Sequence, residues 1–125
     1  MDENTLANQV IGAAIEVHKY LGPGLMESAY HACLMRELEL RKLHFDSEVA
    51  VVVDYKGLVI TDAYRVDLMV ENKLIVELKT VAGLGGINKA QLLTYLRLTK
   101  RKLGLLINFN ELLLKHGIQR VVNSL

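Results

Sequence analysis

The sequence contains few of the features that mark a membrane, secreted or cysteine-dependent protein. No uninterrupted apolar run approaches the roughly 20 residues that a bilayer-spanning helix needs. The first residues, Met1 to Thr5, are acidic and polar and show no signal-peptide pattern. The only cysteine, Cys33, cannot form an internal disulfide or a cysteine zinc cluster. We therefore expect a cytoplasmic protein that makes no membrane contact.

The motifs of several catalytic classes are also missing. The four histidines show no H-E-x-x-H or similar metal spacing, and there is no G-x-S-x-G string. The glycine-rich segment Gly83 to Gly86 is not followed by the Lys-Ser or Lys-Thr pair of a nucleotide-binding loop. These absences argue against a zinc protease, a serine hydrolase of the nucleophile-elbow type and a P-loop enzyme.

The composition is that of one folded domain, which we expect to span residues 1–125. Hydrophobic residues make up 51% of the chain and charged residues 23%. The net charge of +1 is unevenly distributed: residues 1–79 hold 8 basic and 13 acidic side chains, and residues 80–125 hold 7 basic and 1 acidic. Such asymmetry indicates a polyanionic partner. Four basic side chains are candidates for phosphate contacts: Arg97, Lys100, Arg101 and Lys102. The alternative is that they lie at a helix C-terminus, where the helix dipole favours positive charge, and in the solvated turn that follows.

Hydrophobic periodicity predicts two helices, four strands, a helix and two or three further strands, which together form an α/β domain. Asn4 or Thr5 is expected to cap the first helix, which runs to about Tyr20 and is ended by the turn around the single proline, Pro23. The other predicted elements are a helix over 26–42, strands over 48–55, 58–63, 66–70 and 74–78, a helix over 88–99, a strand over 103–108, and a final strand or pair within 112–122.

Two carboxylates and a lysine stand in the most apolar of these hairpins. Because side chains alternate along a strand, Glu77 and Lys79 share one face of it, and Asp67 lies opposite the face of its apolar neighbours. If Asn72 centres the turn, Asp67 is paired with Glu77, and two like charges opposite each other destabilise a sheet. A Mg²⁺ or Mn²⁺ ion between them would turn that repulsion into a binding site. A solvated hairpin face and a shifted register are the alternatives.

Two helices carry further polar groups at helical spacing. Gly24, Glu27 and Tyr30 form a G-x-x-E-x-x-Y string, in which Glu27 and Tyr30 share a face at the start of the second helix. Gln91 and Tyr95, four residues apart, share a face of the third helix and are candidates to hold a water or a phosphate. The alternative for the first pair is a glutamate favoured by the helix dipole and a half-buried tyrosine. The alternative for Gln91 and Tyr95 is the polar rim of an ordinary amphipathic helix.

These strings together resemble the GxxExxY family of small bacterial and archaeal proteins, within the PD-(D/E)XK nuclease-like superfamily. The resemblance covers nearly the whole chain and rests on Gly24, Glu27, Tyr30, and the segments 64–67, 76–79, 90–96 and 103–109. It implies a restriction-endonuclease-like fold, in which a mixed β-sheet is flanked by helices and the central hairpin holds the metal site.

The resemblance also implies roles for single residues. Asp67 and Glu77 are the expected metal ligands, with the Leu78 carbonyl and Glu27 as further ligands. Lys79 is expected to orient or activate the attacking water, and Gln91 belongs to the helix motif that follows. Nucleic acid is then expected to contact two tyrosines and four basic residues: Tyr30, Tyr95, Arg97, Lys100, Arg101 and Lys102.

We therefore predict a Mg²⁺- or Mn²⁺-dependent nuclease that hydrolyses DNA or RNA. Because fold membership does not fix activity, two alternatives stay open: a nucleic-acid-binding module that no longer cuts, and a protein-interaction domain. A homo-oligomer is a further expectation, since small nucleases of one domain often dimerise.

Overall fold

The first helix begins where the sequence supplies a carboxylate to cap it. In the computed structural model, which describes residues 1–124, helix α1 spans Glu3–Leu21. The Asp2 carboxylate accepts a hydrogen bond from the Thr5 amide at 2.8 Å, so the capping residue is Asp2, and the prediction of Asn4 or Thr5 is wrong by a few positions. This bond satisfies one of the N–H groups that a helix start leaves unpaired.

The other helices and strands lie near their predicted positions. They are α2 (Glu27–Leu40), β1 (Phe45–Tyr55), β2 (Leu58–Val70), β3 (Leu74–Lys79), α3 (Gly86–Thr99), β4 (Leu103–Asn108) and β5 (Ile118–Val122). The prediction of separate strands over 58–63 and 66–70 is wrong, because Tyr64 and Arg65 pair with β1 and leave no turn between them. A short 3₁₀ helix, Leu114–Gly117, precedes β5, so a single strand follows β4 in the described part of the chain.

The five strands form one mixed sheet in the order β1-β2-β3-β4-β5. All neighbours are antiparallel except β3 and β4, which run parallel and are joined through α3. A parallel pair needs such a crossover, because its strands start at the same edge of the sheet.

Helices cover both faces of the sheet. On one face α1 and α2 bury a cluster that includes Leu34, Leu38, Val76 and Leu78. On the other face α3 packs Leu92 and Leu96 against a second cluster, which includes Val51, Val66, Met69 and Ile75. Burying an apolar side chain of this size contributes about 1.5–3 kcal/mol, so the two clusters stabilise the sheet from both sides. Within residues 1–124, no helix has both the length and the apolar character that crossing a membrane requires.

The far half of the β1–β2 hairpin extends beyond the rest of the sheet. Strand β3 pairs only with residues 68–70 of β2, so residues 52–63 form a two-stranded arm. Five large apolar side chains of this arm are between 43% and 62% exposed: Val52, Tyr55, Leu58, Val59 and Ile60. A two-stranded hairpin with so little buried surface is marginally stable in water by itself.

Candidate metal centre

The central hairpin has the register that the sequence predicts. Leu68 pairs with Val76, and Val70 with Leu74, which places Asp67 opposite Glu77. The backbone pairing of β2 and β3 ends before that position. There the Asp67 carboxylate accepts a hydrogen bond from the Leu78 amide at 2.7 Å. The carboxylate thus takes the place of the backbone carbonyl that a paired strand would offer to this amide. Asp67 is thereby fixed beside the third strand rather than left free in solvent.

Glu77 is the most unusual side chain of the site. It is only 2% exposed, and its Oε1 atom has no hydrogen-bond partner among residues 1–124. Its Oε2 atom lies 3.5 Å from the Tyr64 hydroxyl, which donates a long hydrogen bond to it. Burial, and then the neighbouring Asp67 carboxylate, raise the pKa of Glu77 to about 9. The sheet thus buries an acid with one carboxyl oxygen that has no hydrogen-bond partner among the described residues.

The side-chain faces of β3 agree with the predicted alternation. Val76 and Leu78 point into the cluster beneath α1 and α2, whereas Ile75 belongs to the cluster beneath α3. Glu77 and Lys79 therefore share the α3 side. Lys79 is half-buried and forms no ion pair with the described residues.

The alternation along β2 does not hold, and this is a correction to the sequence analysis. Val66 and Met69 are three residues apart and yet belong to the same cluster, so the period of two is broken between them. Across the strand pair, the ladder skips Glu48 and Asp67, and Glu48 has a φ of 55°, a left-handed value that is uncommon for a residue with a side chain. The irregularity lies beside the carboxylate that the site needs.

This irregularity brings two residues to Asp67 that the sequence analysis did not assign to the site. His31, Glu48 and Asp67 each offer one ligand atom, and the three atoms lie within 4.8 Å of one another. The His31 Nδ1 atom is 3.9 Å from Glu48 Oε1, and the Ser47 hydroxyl is 3.1 Å from His31 Nε2. The one available sequence signal was the spacing of Glu27 and His31, which lie one helical turn apart on α2.

The structure also brings Glu27 to this group. The first turn of α2 places its carboxyl near the site, and desolvation, followed by the Asp67 charge, raises the pKa of Glu27. Lys79 and His31 act in the opposite direction and lower it. Four elements therefore deliver acidic side chains to one place, and Lys79 lies near them.

A buried amide holds the segment that follows Lys79. The Asn108 side chain accepts a hydrogen bond from the Val81 amide at 3.1 Å and donates one to the Val81 carbonyl at 2.9 Å. The Phe109 amide donates to the Lys79 carbonyl at 2.9 Å. Asn108 is fully buried, so these bonds fix the end of β3 and the start of the 80–85 loop. Asn108 is a positioning residue that the sequence analysis treated only as the end of a strand.

Two tyrosines lie beside Glu77 on the α3 side. The rings of Tyr64 and Tyr95 stack at a centroid distance of 4.2 Å. Burial and the nearby Glu77 raise the pKa of both hydroxyls, so both are neutral donors. Gln91, one turn earlier on α3, is exposed, and its side chain forms no hydrogen bond within residues 1–124.

Tyr30 does not fit the predicted contact with nucleic acid. It is fully buried, its ring stacks on Phe109 at 4.4 Å, and its hydroxyl donates to the Gly22 carbonyl at 2.6 Å. The Leu25 amide in turn donates to the Tyr30 hydroxyl at 3.1 Å. Tyr30 therefore fixes the glycine-rich turn that leads into α2, and it positions Glu27 without reaching a ligand.

The basic cluster lies at the other end of the sheet from Lys79. Residues 100–102 lead into β4 at Leu103, which pairs with Leu74, whereas Lys79 pairs with Asn108. Five residues of strand separate these ends by roughly 17 Å. Arg101 is also engaged, because its guanidinium donates to Asn72 at 2.7 Å and to the Thr99 carbonyl at 2.8 Å. Arg97, Lys100 and Lys102 are exposed.

The donor set fits a divalent cation. Carboxylate oxygens of Asp67 and Glu77 are hard ligands suited to Mg²⁺ or Mn²⁺. The unpartnered Glu77 Oε1 atom is the observation that tests this fit, since a buried charged oxygen without a partner is costly. A cation next to Asp67 would supply that partner.

Comparison with known families agrees with this geometry. A model of the PD-(D/E)XK nuclease superfamily matches residues 4–121. The chain belongs to this superfamily. Its mixed sheet between helices is the restriction-endonuclease-like fold of that group. None of the curated proteins that were compared matches the chain significantly.

A solved structure supports the same fold. The chain is similar to the structure titled "Crystal structure of SSO0001", with a TM-score of 0.57 and 21% sequence identity. The match covers 78% of this chain and 50% of the other, so the chain corresponds to about half of that protein. At this identity the likeness concerns the fold alone.

Proposed function

We propose that this protein is a Mg²⁺- or Mn²⁺-dependent nuclease that hydrolyses phosphodiester bonds of DNA or RNA. The proposal depends above all on Glu77, a buried acid with an unpartnered oxygen beside a second acid. Superfamily membership supports a nuclease-type activity. The finer assignment to the GxxExxY family belongs to the same proposal and depends on the sequence strings described above, and a cytoplasmic location stays an expectation.

Each side chain of the proposed site has a role that follows from its position. Asp67 and Glu77 would hold the cation, with the Leu78 carbonyl and Glu27 available as further ligands. The cation would supply Lewis-acid stabilisation of the phosphate charge and would acidify the attacking water. Lys79 shares the Glu77 face and has no ion-pair partner within residues 1–124, so its ammonium is free to orient that water or to stabilise developing charge.

Substrate contacts are proposed for α3 and the residues that follow it. Tyr95 stands beside Glu77 through its stack on Tyr64, and its neutral hydroxyl can donate to a phosphate oxygen. Gln91 is exposed one turn before it and can hold a water or phosphate. Arg97, Lys100 and Lys102 would contact the backbone farther along, and Arg101 would act by holding the β2–β3 turn through Asn72.

The direct test is cleavage of labelled single- and double-stranded DNA and RNA with Mg²⁺ or Mn²⁺. We expect cleavage of at least one substrate, and a return to background when the cation is chelated. Intact substrates in every reaction, with protein whose folding is confirmed by circular dichroism, would contradict the proposal. Salt-sensitive binding that needs no divalent ion would then favour the non-cutting, nucleic-acid-binding alternative.

Self-association through the exposed arm is also part of the proposal. An apolar surface on residues 52–63, together with the free edge of β1, is typical of an interaction site. The arm holds two acidic side chains, Asp54 and Asp62, and one basic side chain, Lys56, so it offers little to a polyanion. A second copy presents the same apolar edge and is the occupant that we propose.

Light scattering after size exclusion tests this contact. We expect a wild-type dimer, and a monomer for the double variant Leu58→Lys and Ile60→Lys, because two charges would enter the buried interface. Leu112→Lys changes an 89% exposed residue outside the arm and is the matched control. A wild type that stays monomeric at its solubility limit, or a double variant that stays dimeric, would contradict the proposed contact.

A further inference from the structure

We propose that a groove between the C-terminal turns of α1 and residues 112–115 binds an acidic peptide segment of a partner protein, with one large apolar side chain of that segment buried in the groove. This α1 groove contains none of the residues assigned to the metal centre or to the exposed arm. The proposal goes beyond the nuclease assignment, and testing it requires neither a nucleic acid nor a metal ion.

The groove has the size and the walls of an apolar binding pocket. Its volume is about 470 Å³, within the roughly 300–1,000 Å³ that is common for such pockets. Ile15 of α1, Pro23 of the turn after α1 and the leucines of the 112–115 segment line it. An apolar side chain bound between these walls is removed from water, which favours binding by about 25 cal/mol per Å² of apolar surface.

Two leucines beside the groove are held in water. Leu112 is 89% exposed and Leu113 is 55% exposed, and Leu112 has the largest exposed fraction of the large apolar side chains in residues 1–124. Single exposed apolar residues are ordinary on a protein surface, but these two leucines are consecutive and border an apolar groove. They would lose their contact with water when a peptide covers the groove.

The backbone around these leucines is fixed from both sides. Towards α1, the His18 Nε2 atom lies 2.8 Å from the Glu111 carbonyl oxygen. Towards β5, Leu114 is buried in the cluster beneath α1 and α2, and Gly117 packs against the Asn108 carbonyl with no room for a side chain. The segment is therefore held in place, and a preorganised surface loses little conformational entropy on binding.

The charges at the groove determine what kind of peptide fits. Lys19 on α1 and Lys115 on the opposite wall are exposed, and neither forms an ion pair within residues 1–124. No acidic side chain lines the groove in the described part of the chain. The neighbouring acids lie elsewhere: Glu16 lines the cavity between α1 and α2, and the Glu111 Cγ atom lies against Gly117. Ammonium groups on both walls of an apolar groove complement a segment that is apolar in the middle and acidic on both sides.

The lining of the groove favours a peptide over a nucleic acid. Nucleic-acid grooves stack bases on aromatic side chains and bind phosphates with arginine as well as lysine. Among the described residues, no tyrosine, phenylalanine or arginine lines this groove. A concave pocket also fits an inserted side chain better than it fits the surface of a membrane.

The groove lies at the same end of the sheet as the metal centre. Residues 109–113 continue from Asn108, which pairs with Lys79. Gly22, on the other side of the groove, accepts the hydrogen bond from Tyr30 that fixes the turn before α2. A peptide in the groove would therefore contact the two segments that lead to Lys79 and to α2, and its protein would bind beside the metal centre.

A library of random short peptides displayed on phage, selected against the full chain, provides the probe. We expect the enriched sequences to contain a large apolar residue with Asp or Glu on both sides. The most enriched peptide is then synthesised with a fluorescent label, and its dissociation constant is measured by anisotropy. This constant should rise at least tenfold in the double variant Lys19→Glu and Lys115→Glu. Lys42→Glu combined with Lys89→Glu makes the same change of net charge on exposed residues outside the groove and is the matched control.

Four results would overturn the proposal. Selection without enrichment of acidic and apolar residues, or equal affinities of the groove variant and its control, would show that the groove binds no such segment. Sedimentation with phosphatidylserine vesicles that depends on the two lysines would assign the surface to a membrane. A changed oligomeric state of the groove variant would assign it to a second copy of the chain. If thermal unfolding shows that the lysine variant is not folded, Leu112→Ser combined with Leu113→Ser takes its place, with the same loss of affinity expected.

Discussion

Replacing Asp67 by asparagine is expected to lower the rate of metal-dependent cleavage at least a hundredfold. Asp67 is a proposed ligand of the cation, and losing even an outer partner of a metal ligand costs about 10–100-fold. Asparagine keeps an oxygen that can accept the 2.7 Å hydrogen bond from the Leu78 amide, so the strand geometry should survive. The measurement is kcat/KM on the best substrate at saturating Mn²⁺.

Asp62→Asn is the matched control for this variant. Asp62 lies on the same strand, is exposed and pairs only with Arg65 in the described part of the chain. We expect its cleavage rate to stay within about twofold of the wild type, since an exposed ion pair of this kind contributes little to stability. Equal rates for Asp67→Asn and Asp62→Asn would show that the observed cleavage does not come from this site.

The central hairpin could be predicted from sequence because its constraints are local. Residues 71–73 leave room for only a few turns, and strand alternation then determines which side chains face each other. The Leu68–Val76 pair confirms that register, and the Val76 and Leu78 positions confirm the faces of β3. The sequence strings shared with the superfamily then predicted that the helices carrying Glu27 and Gln91 belong to the same site.

The position of His31 and Glu48 could not be predicted in the same way. Their approach to Asp67 depends on a left-handed residue at position 48 and on a broken alternation in β2. Neither feature can be detected from hydrophobic periodicity. Glu48 is also not one of the residue types, such as glycine or asparagine, that indicate a positive φ. The same limit applies to Tyr30, whose spacing on α2 agrees equally with a ligand contact and with the packing on Phe109 that is observed.

The buried Glu77 carboxyl lowers the free energy of unfolding of the metal-free protein at neutral pH. Because the pKa of Glu77 is raised from 4.5 to about 9, the folded protein keeps a proton on Glu77 that the unfolded chain releases above pH 4.5. The folded state then binds more protons than the unfolded state, so the free energy of unfolding falls as the pH rises from about 4.5 to about 9. The slope approaches about 1.4 kcal/mol per pH unit in that range.

Replacing Glu77 by glutamine is therefore expected to stabilise the metal-free protein at pH 8 and to abolish cleavage. Glutamine is neutral at every pH, so the variant should lose this pH dependence, and its Tm at pH 8 should exceed that of the wild type by roughly 5 °C or more. The two proteins should have similar Tm values near pH 4, where both side chains are uncharged. Thermal unfolding followed by circular dichroism between pH 4 and pH 9 measures both effects.

Addition of Mn²⁺ should reverse the order of the two proteins. An ion that binds only the folded state raises its stability by mass action, and the wild type alone has both Glu77 oxygens to hold the ion beside Asp67. The wild-type Tm at pH 8 should therefore rise more than that of Glu77→Gln. Glu16→Gln, on the exposed face of α1, should behave as the wild type does. If Glu77→Gln and Glu16→Gln unfold at the same temperature across the pH range, the buried Glu77 carboxyl does not destabilise the fold. The proposal that Glu77 is a cation ligand would then be wrong.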